Sequence, residues 1–415
     1  MAYTDTEYAY FNLVFTALPQ LCIDTQGRTI AEEDVPIHLS MVKYGEEALE
    51  STGRIRLRGA SSRLNDKKGY KIEFTRQRDG KDKKTMMNTP ILGAADQVAL
   101  LPCVGDTTRM RDKLSWDLYA ELAADEESFG TRKTEYVEVF RDDAYLGLYL
   151  MVEPVDVEAE LKLSGDRCLT TDSVYRTATL TFAKGRDVWV NPLCKEMGYE
   201  LYYAPQGSAP FADLEAYMNL IQEEDDTEFC ARALECIDTD SMLRHVLLIQ
   251  TGAMADNVFN NMYIWAHGDG KNIRYRFACW DMDWTWGFKR EEIGEEYENW
   301  LYFPVADRLL NLNANGIRQR LYEQWSRLRE TFLNEQWLEE KIEQYNTMLR
   351  ESGALAREEA RWNFEAEEGY GIVVFASVRW PILDKAIAEM AENPDEAMPY
   401  LSSSRYDGEK GASML

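Results

Sequence analysis

The chain has 415 residues, 45% of them hydrophobic and 12% aromatic, which is enough for large cores and favours two lobes over one small domain. It carries 73 acidic against 46 basic residues, and the net charge of −27 argues against nucleic acid or an anionic membrane as a partner. Seven scattered cysteines without a CxxC pair, and only three histidines, give little support to a zinc site, a disulfide framework or catalysis by a Ser–His or Cys–His pair.

The first half of the chain is predicted to be rich in β-strands, because short apolar or alternating runs are separated by Gly, Pro, Asp and Asn. One helix interrupts these strands, with apolar residues every four positions from Met110 to Leu122. Farther on, Asp142 and Asp143 supply the turn of a predicted hairpin. Residues 1–153 are therefore predicted to form an N-terminal lobe of strands with one helix.

From Pro210 onward, apolar residues recur with helical spacing, and one hairpin with a Gly-Asp-Gly turn lies between the helices. Residues 154–392 are predicted to form a mainly helical C-terminal lobe, and residues 393–415 a flexible polar tail. The expected fold class is α+β, in two lobes, with a ligand in the cleft between them. No leader peptide and no run of eighteen apolar residues is visible, so we expect a cytoplasmic protein.

Four oxygen-bearing side chains flank the hairpin of the second half. Asp256 ends a helix, Asn261 begins the first strand, and Asp281 and Asp283 follow the second strand. Hairpin pairing brings the start of one strand beside the end of its partner, so these residues are predicted to cluster. Oxygen-only clusters suit Mg²⁺ or Mn²⁺ with nucleotide phosphates. The alternative is that these aspartates cap helices and turns.

The first lobe offers cations for the phosphates. Arg58 stands before a turn of small residues, and Lys68 and Lys71 follow that turn. Such a turn can lend backbone N–H groups to phosphate oxygens. Lys71 alternates with apolar neighbours, so it is equally well explained as part of a solvated strand face. Which lysine would contact phosphate stays open.

Charged residues also begin the predicted helix of the first lobe: Asp106, Arg109, Arg111 and Asp112. They are candidates for an ion pair across the cleft. Ordinary salt bridging at a helix start explains them equally well.

Four successive blocks make the sequence recognisable: RGASSRLNDKKGYKIEF, ILGAADQVALLPCVGDTTRMRDKLSWDL, YVEVFRDDAYLGLYLMVEPVDV and ADNVFNN…FACWDMDWTWG. In this order they resemble the CotH kinase family of spore-coat proteins. The resemblance implies a divergent two-lobed, protein-kinase-like fold that binds ATP and Mg²⁺ and phosphorylates protein serines. It also implies an association with a spore coat.

The resemblance further implies roles for single residues. Asp256 would be the catalytic residue, and Asn261, Asp281 and Asp283 would bind metal. Arg58 and either Lys68 or Lys71 would face the phosphates, and Glu153 would lie near the adenine. The resemblance implies a serine-rich protein substrate, and the acidic charge of the chain favours a basic one. Two other functions remain open: transfer of AMP on the same scaffold, and a non-catalytic nucleotide-binding or coat-assembly module.

Overall fold

The computed structural model describes residues 2–3, 8–9, 14–59, 61–78, 80–123, 130–155, 171–179, 187–191, 197–204, 207–268, 272–288 and 299–398. The chain divides into two compact units, each assembled from three segments. The first unit consists of Met1–Pro102, Thr134–Glu153 and Glu343–Ala366. The second consists of Cys103–Lys133, Pro154–Ile342 and Glu367–Leu415. The boundaries expected after residues 153 and 392 stay predictions, and residues 399–415 of the expected tail lie outside the described residues.

Seven of the described strands in the first unit close into a β-barrel. In spatial order they are β10 (Gln97–Leu101), β12 (Ala144–Val152), β11 (Thr134–Arg141), β3 (Gln20–Asp24), β4 (Val35–Val42), β5 (Leu49–Arg58) and β6 (Gly69–Arg78). Pairing of β6 with β10 completes the ring. All neighbours are antiparallel except β3 and β11. The hairpin expected at Asp142 and Asp143 is confirmed as the turn between β11 and β12.

Alternation along the strands explains the barrel. On β5 and β6, Ile55, Ile72 and Phe74 are fully buried, whereas the residues between them are largely exposed or half-buried. Successive side chains of a strand point to opposite faces, so one face of each strand fills the barrel. β7 (Lys81–Lys84) pairs with the end of β6, and two short hairpins complete the described strands of this unit: β1 (Ala2–Tyr3) with β2 (Tyr8–Ala9), and β8 (Met87–Thr89) with β9 (Gly93–Ala95).

A helix from near the end of the sequence completes the first unit. Helix α9 (Ala354–Trp362) packs against β12 and carries Glu358, which is fully buried. Glu358 accepts from Lys67 Nζ at 2.5 Å, and its other oxygen accepts from the backbone N–H of Leu148 at 2.8 Å. Lys67 Nζ also donates to the carbonyls of Leu148 and Pro102. The paired charges therefore satisfy each other inside the unit.

The second unit combines a five-stranded antiparallel sheet with most of the helices. The sheet order is β14 (Val188–Val190), β15 (Met197–Tyr203), β13 (Ser173–Thr179), β16 (Met262–His267) and β17 (Arg274–Cys279). The helices are α1 (Arg111–Leu122), α2 (Ala212–Ile221), α3 (Asp226–Cys236), α4 (Thr239–Thr251), α5 (Asp256–Phe259), α6 (Pro304–Asn311), α7 (Ile317–Thr331), the first part of α8 (Glu335–Glu351), and α10 (Tyr370–Glu392). Among the helices that the structure describes, none is long and apolar enough to cross a membrane.

The expected two-lobed, protein-kinase-like arrangement is wrong, although the α+β class holds. That prediction placed helix α1 in a lobe with the first strands, and a hairpin among the later helices. Instead, seven strands close on themselves as a barrel, and α1 belongs to the second unit, where it packs against α4. The expected hairpin, β16 and β17, is present but forms one edge of a five-stranded sheet.

Candidate active site: an acidic cluster in the second unit

Asp256 and Asn261 are held together by a short helix and the turn that follows it. Asp256 begins α5, and Asn261 directly precedes β16. One oxygen of Asp256 accepts from Asn261 Nδ2 at 2.7 Å, and the other accepts from Asn260 Nδ2 at 3.3 Å. These two bonds fix the orientation of the Asp256 carboxylate.

The hairpin brings Asn261 beside the loop that carries Asp281. Met262 pairs with Cys279, and the next pair outward is joined by a bond from Trp280 N to Asn261 O at 2.8 Å. Asn257 links the start of β16 to the end of β17, because its buried Nδ2 donates to Trp280 O at 2.8 Å and to Asn261 O at 3.2 Å. Hairpin pairing predicted Asp281 as the neighbour of Asn261, whereas the bond that joins the strand ends goes to Trp280, one residue earlier.

Several non-glycine residues around this loop adopt left-handed backbone conformations. The φ angle is 46° at Asn261, 59° at Asp281 and 55° at Trp286. Such a conformation is uncommon for residues other than glycine, and costs most where the side chain is bulky, as at Trp286. Backbone strain persists only where the surroundings impose it, and it concentrates at functional sites.

Helix α1 supplies that constraint. The buried Asp112 accepts from Met282 N at 3.3 Å, and Ser115 Oγ donates to Met282 O at 3.3 Å. The fully buried Trp286 donates through Nε1 to Ser115 Oγ at 2.9 Å. Hydrogen bonds therefore attach the loop from Asp281 to Trp286 to the first turns of α1.

Asp106, just before α1, forms a local network that explains the charged residues of the helix start. Its carboxylate accepts from Arg111 N at 2.9 Å and forms an ion pair with the Arg111 guanidinium. Thr108 donates to the same carboxylate through its backbone and its hydroxyl. Of the two explanations, the structure shows salt bridging at the helix start for Asp106 and Arg111.

The electrostatics of the cluster centre on Asp283. Burial raises its pKa well above the ordinary range, and the negative charges of Asp281, Asp112, Asp256 and Asp106 raise it further. Adjacent carboxylates cannot all ionise at low cost unless a cation or proton offsets their repulsion. Either a proton on Asp283 or a bound cation would therefore relieve this repulsion.

The donor set fits a hard cation only in part. Within the described residues, no group of three or more His, Cys, Asp or Glu side chains is arranged to hold a metal ion. Mg²⁺, however, is usually bound by one or two carboxylates, while water and substrate phosphates complete its octahedron. The carboxylates of Asp281 and Asp283 and the amide oxygen of Asn261 are the type of donor atom which that second mode uses.

The remaining predicted site residues lie in the first unit. Arg58 ends β5, and Lys71 lies on the outward face of β6 opposite Arg56. Lys68 donates to Arg63 O at 2.8 Å, and Glu153 directly follows β12. Because these residues and the acidic cluster belong to different units, the expected contacts of Arg58, Lys68, Lys71 and Glu153 with a nucleotide stay predictions.

Sequence reasoning missed that Asp106 and Asp112 belong to the acidic cluster. It treated them as the start of a helix in the other lobe, far along the chain from Asp281. Both are almost completely buried, at 2% and 3% exposure. Buried carboxylates are rare unless they are paired or functional. The local sequence, however, does not indicate that the start of α1 is buried.

The fold and the site together define an α+β protein with a closed barrel in one unit and an oxygen-rich acidic cluster in the other, half-buried at Asp256, Asp281 and Asp283. Comparison with protein families matches residues 55–396 to the family described as CotH kinase protein. The chain therefore belongs to the CotH kinase family. The family name points to a kinase-like phosphotransferase and relates to the spore coat. Comparison with curated proteins found no match.

Proposed function

We propose that this protein is a phosphotransferase that uses ATP and Mg²⁺ (or Mn²⁺) to phosphorylate serine or another hydroxyl side chain of a protein. The observation that carries the proposal is the position of Asp283 among four other carboxylates, on a loop that α1 holds in place. Family membership supports the reaction class.

Asp256 is assigned the role of the catalytic base. Bonds from Asn260 and Asn261 orient its carboxylate. A positioned carboxylate can accept the proton of a hydroxyl nucleophile as the new O–P bond forms to the γ-phosphorus and the bond to ADP breaks. Positioning and electrostatic stabilisation supply most of the catalysis in phosphoryl transfer.

Asn261, Asp281 and Asp283 are assigned to the cation. Asn261 uses Nδ2 to bond Asp256, which leaves its Oδ1 as the ligand atom. When bound, the divalent cation would neutralise phosphate charge during transfer. The same cation would offset the repulsion that raises the pKa of Asp283.

The test compares Asp256→Asn with Asp213→Asn, which changes a half-buried aspartate in the first turn of α2, in the same unit. Each variant is incubated with γ-labelled or α-labelled ATP, Mg²⁺ and a serine-rich basic protein. We expect γ-label on the protein substrate, a loss of at least about 10²-fold for Asp256→Asn, and unchanged transfer for Asp213→Asn.

ATP binding by calorimetry, with Mg²⁺ or with EDTA, separates binding from chemistry. Asp256→Asn should keep Mg²⁺-dependent binding, whereas Asp283→Asn should weaken it. Full transfer activity in Asp256→Asn would exclude the proposed base. Transfer of the α-label would show an AMP transferase. ATP binding of equal strength with Mg²⁺ and with EDTA would contradict the proposed cation site.

A further inference from the structure

Helix α10 carries a line of exposed apolar side chains. Tyr370, Val374 and Val378 are 64%, 62% and 44% exposed, and Pro381 is also exposed. Residues three or four apart lie on the same side of a helix, so these four side chains form one continuous line, called the apolar stripe below. The other side of α10 consists mainly of buried apolar residues. A helix that is apolar on both sides is ordinarily enclosed on both sides.

Two exposed residues of α10 are poor choices for the helix itself. Gly371 lies in its first turn and Pro381 in its middle. Glycine is a poor helix former, and proline has no N–H to donate to the carbonyl of Ser377, four residues earlier. Packing within the described residues does not require Gly371, because a methyl group added there would meet no described atom within 4 Å. The gap at Gly371 therefore suits something that approaches α10 from its exposed side.

The exposed residues are arranged symmetrically about the level of Ala376. Val374 and Val378 lie two residues on either side of it, and Gly371 and Pro381 lie five residues on either side. Five residues of helix rise about 7.5 Å. When a second α10 runs antiparallel to the first with its Ala376 at the same level, the valines of both copies meet in the middle. The Pro381 ring of each copy then lies level with the gap at Gly371 of the other copy.

Charges at the two ends of the stripe follow the same symmetry. Glu367 and Lys385 lie nine residues on either side of Ala376, and both are exposed. The backbone N–H of Glu367 donates to Thr107 O at 3.2 Å, which holds Glu367 just before the helix. Lys385 Nζ lies 3.7 Å from Glu389 of its own helix, and the Lys385 side chain is 78% exposed, so a second carboxylate can reach it. An antiparallel pair brings each Lys385 level with Glu367 of the other copy.

We infer that the apolar stripe is the contact surface of a symmetric homodimer, in which α10 of one copy packs antiparallel against α10 of a second copy. A two-fold axis makes each contact occur twice. The contact covers only about three helical turns and is smaller than the roughly 1,200 Å² of a stable interface, so we expect a dissociation constant in the micromolar range. The inference concerns association and does not depend on phosphoryl transfer.

The symmetry favours a second copy over a different protein as the partner. A helix of another protein would also bury the two valines. It would not require the gap and the ring, or the acid and the base, to be equally far from one point of α10. The net charge of −27 on each copy opposes association, but at physiological salt charges are screened beyond about 8 Å.

The test measures association of the full chain by sedimentation velocity, at about 1 to 200 μM protein and physiological salt. Val374→Glu/Val378→Glu places four carboxylates in the middle of the contact and should weaken the dimer by about tenfold or more. Both positions are exposed and glutamate forms helices better than valine, so α10 should stay folded, which circular dichroism checks.

The matched control is Thr227→Glu/Ala231→Glu, which adds the same charge with the same spacing at two exposed positions of α3. This control should dimerise as the unmodified protein does. Three results would overturn the inference: a monomer over the whole concentration range, equal weakening in the control, or a dimer that Val374→Glu/Val378→Glu leaves intact.

Exchange of the end charges tests the antiparallel register. Glu367→Lys places two lysines at each end of the contact, and Lys385→Glu places two glutamates there, so each single variant should weaken the dimer by about threefold or more. The double variant Glu367→Lys/Lys385→Glu has the net charge of the unmodified protein and restores both opposite-charge pairs. Its dimer should recover to within about twofold of the unmodified one. A double variant as weak as the single ones would overturn the antiparallel dimer.

Discussion

Removing Lys67 tests how the charges inside the first unit are balanced. Its Nζ has three acceptors, namely Glu358 Oε1, Leu148 O and Pro102 O, and the ring of Tyr149 lies 4.5 Å away. The side chains of Lys67 and Glu358 are 3% and 0% exposed. Lys67→Met would leave the Glu358 carboxylate buried without its cation. Removing one partner of such a pair costs about 3–5 kcal/mol.

The double variant Lys67→Met/Glu358→Leu separates the loss of pairing from the loss of volume. Apolar replacements of both partners are often neutral or stabilising, but here Leu148 N–H and two carbonyls lose partners. An unsatisfied buried group costs about 1–3 kcal/mol. We therefore expect the double variant to be more stable than Lys67→Met, yet below the unmodified protein.

Urea unfolding gives the free-energy differences, and hydrogen exchange of β12 shows whether the loss is local to the first unit. The matched control is Lys68→Met, since Lys68 is partly exposed and donates to the carbonyl oxygen of Arg63. That variant should stay within about 1 kcal/mol of the unmodified protein. A loss below about 1 kcal/mol for Lys67→Met, or a double variant worse than either single one, would refute the reasoning.

Two further predictions concern the second unit. Burial lowers the pKa of His245 to about 3, so its stabilising neutral form is fully present above its ordinary pKa near 6.5, and that contribution is lost as pH falls toward 3. The free energy of unfolding of His245→Leu, relative to that of the unmodified protein, should therefore rise by about 2 kcal/mol as the pH falls from 7 to 5. Urea unfolding at each pH measures this difference, and parallel pH profiles of the two proteins would contradict it. Asn257→Ala removes the donor shared by Asn261 O and Trp280 O, and should lower the free energy of unfolding by about 1–3 kcal/mol. Hydrogen exchange at Met262 and Trp280 should become faster. Unchanged exchange would contradict the role of Asn257 in linking β16 and β17.

Local features of the fold were predictable from the sequence. The alternation of β5 and β6, the turn at Asp142 and Asp143, and the hairpin of β16 and β17 all depend on residues close together in the chain. Hairpin pairing predicted that Asn261 lies beside Asp281, and the structure joins it by a backbone bond to Trp280, the residue before. The spacing of apolar residues and the residue types of the turns indicate such local elements directly.

Long-range partnerships were not predictable. Closure of the barrel depends on whether β6 pairs with β10, and nothing in either strand specifies that choice. The position of α1 was mistaken for a similar reason, because an apolar stripe shows that a helix packs but not against which element. The membership of Asp106 and Asp112 in the acidic cluster depends on that packing.

The distance along the chain between Lys67 and Glu358 has a consequence for biosynthesis. The two residues are 291 positions apart, although they belong to the same unit. At about 5–20 residues per second, Glu358 is synthesised roughly 15–60 s after Lys67. Throughout that interval the nascent barrel lacks the carboxylate that neutralises its buried lysine, so we expect it to close only after residue 358 has been synthesised. A ribosome stalled before residue 354 would hold an unfinished first unit.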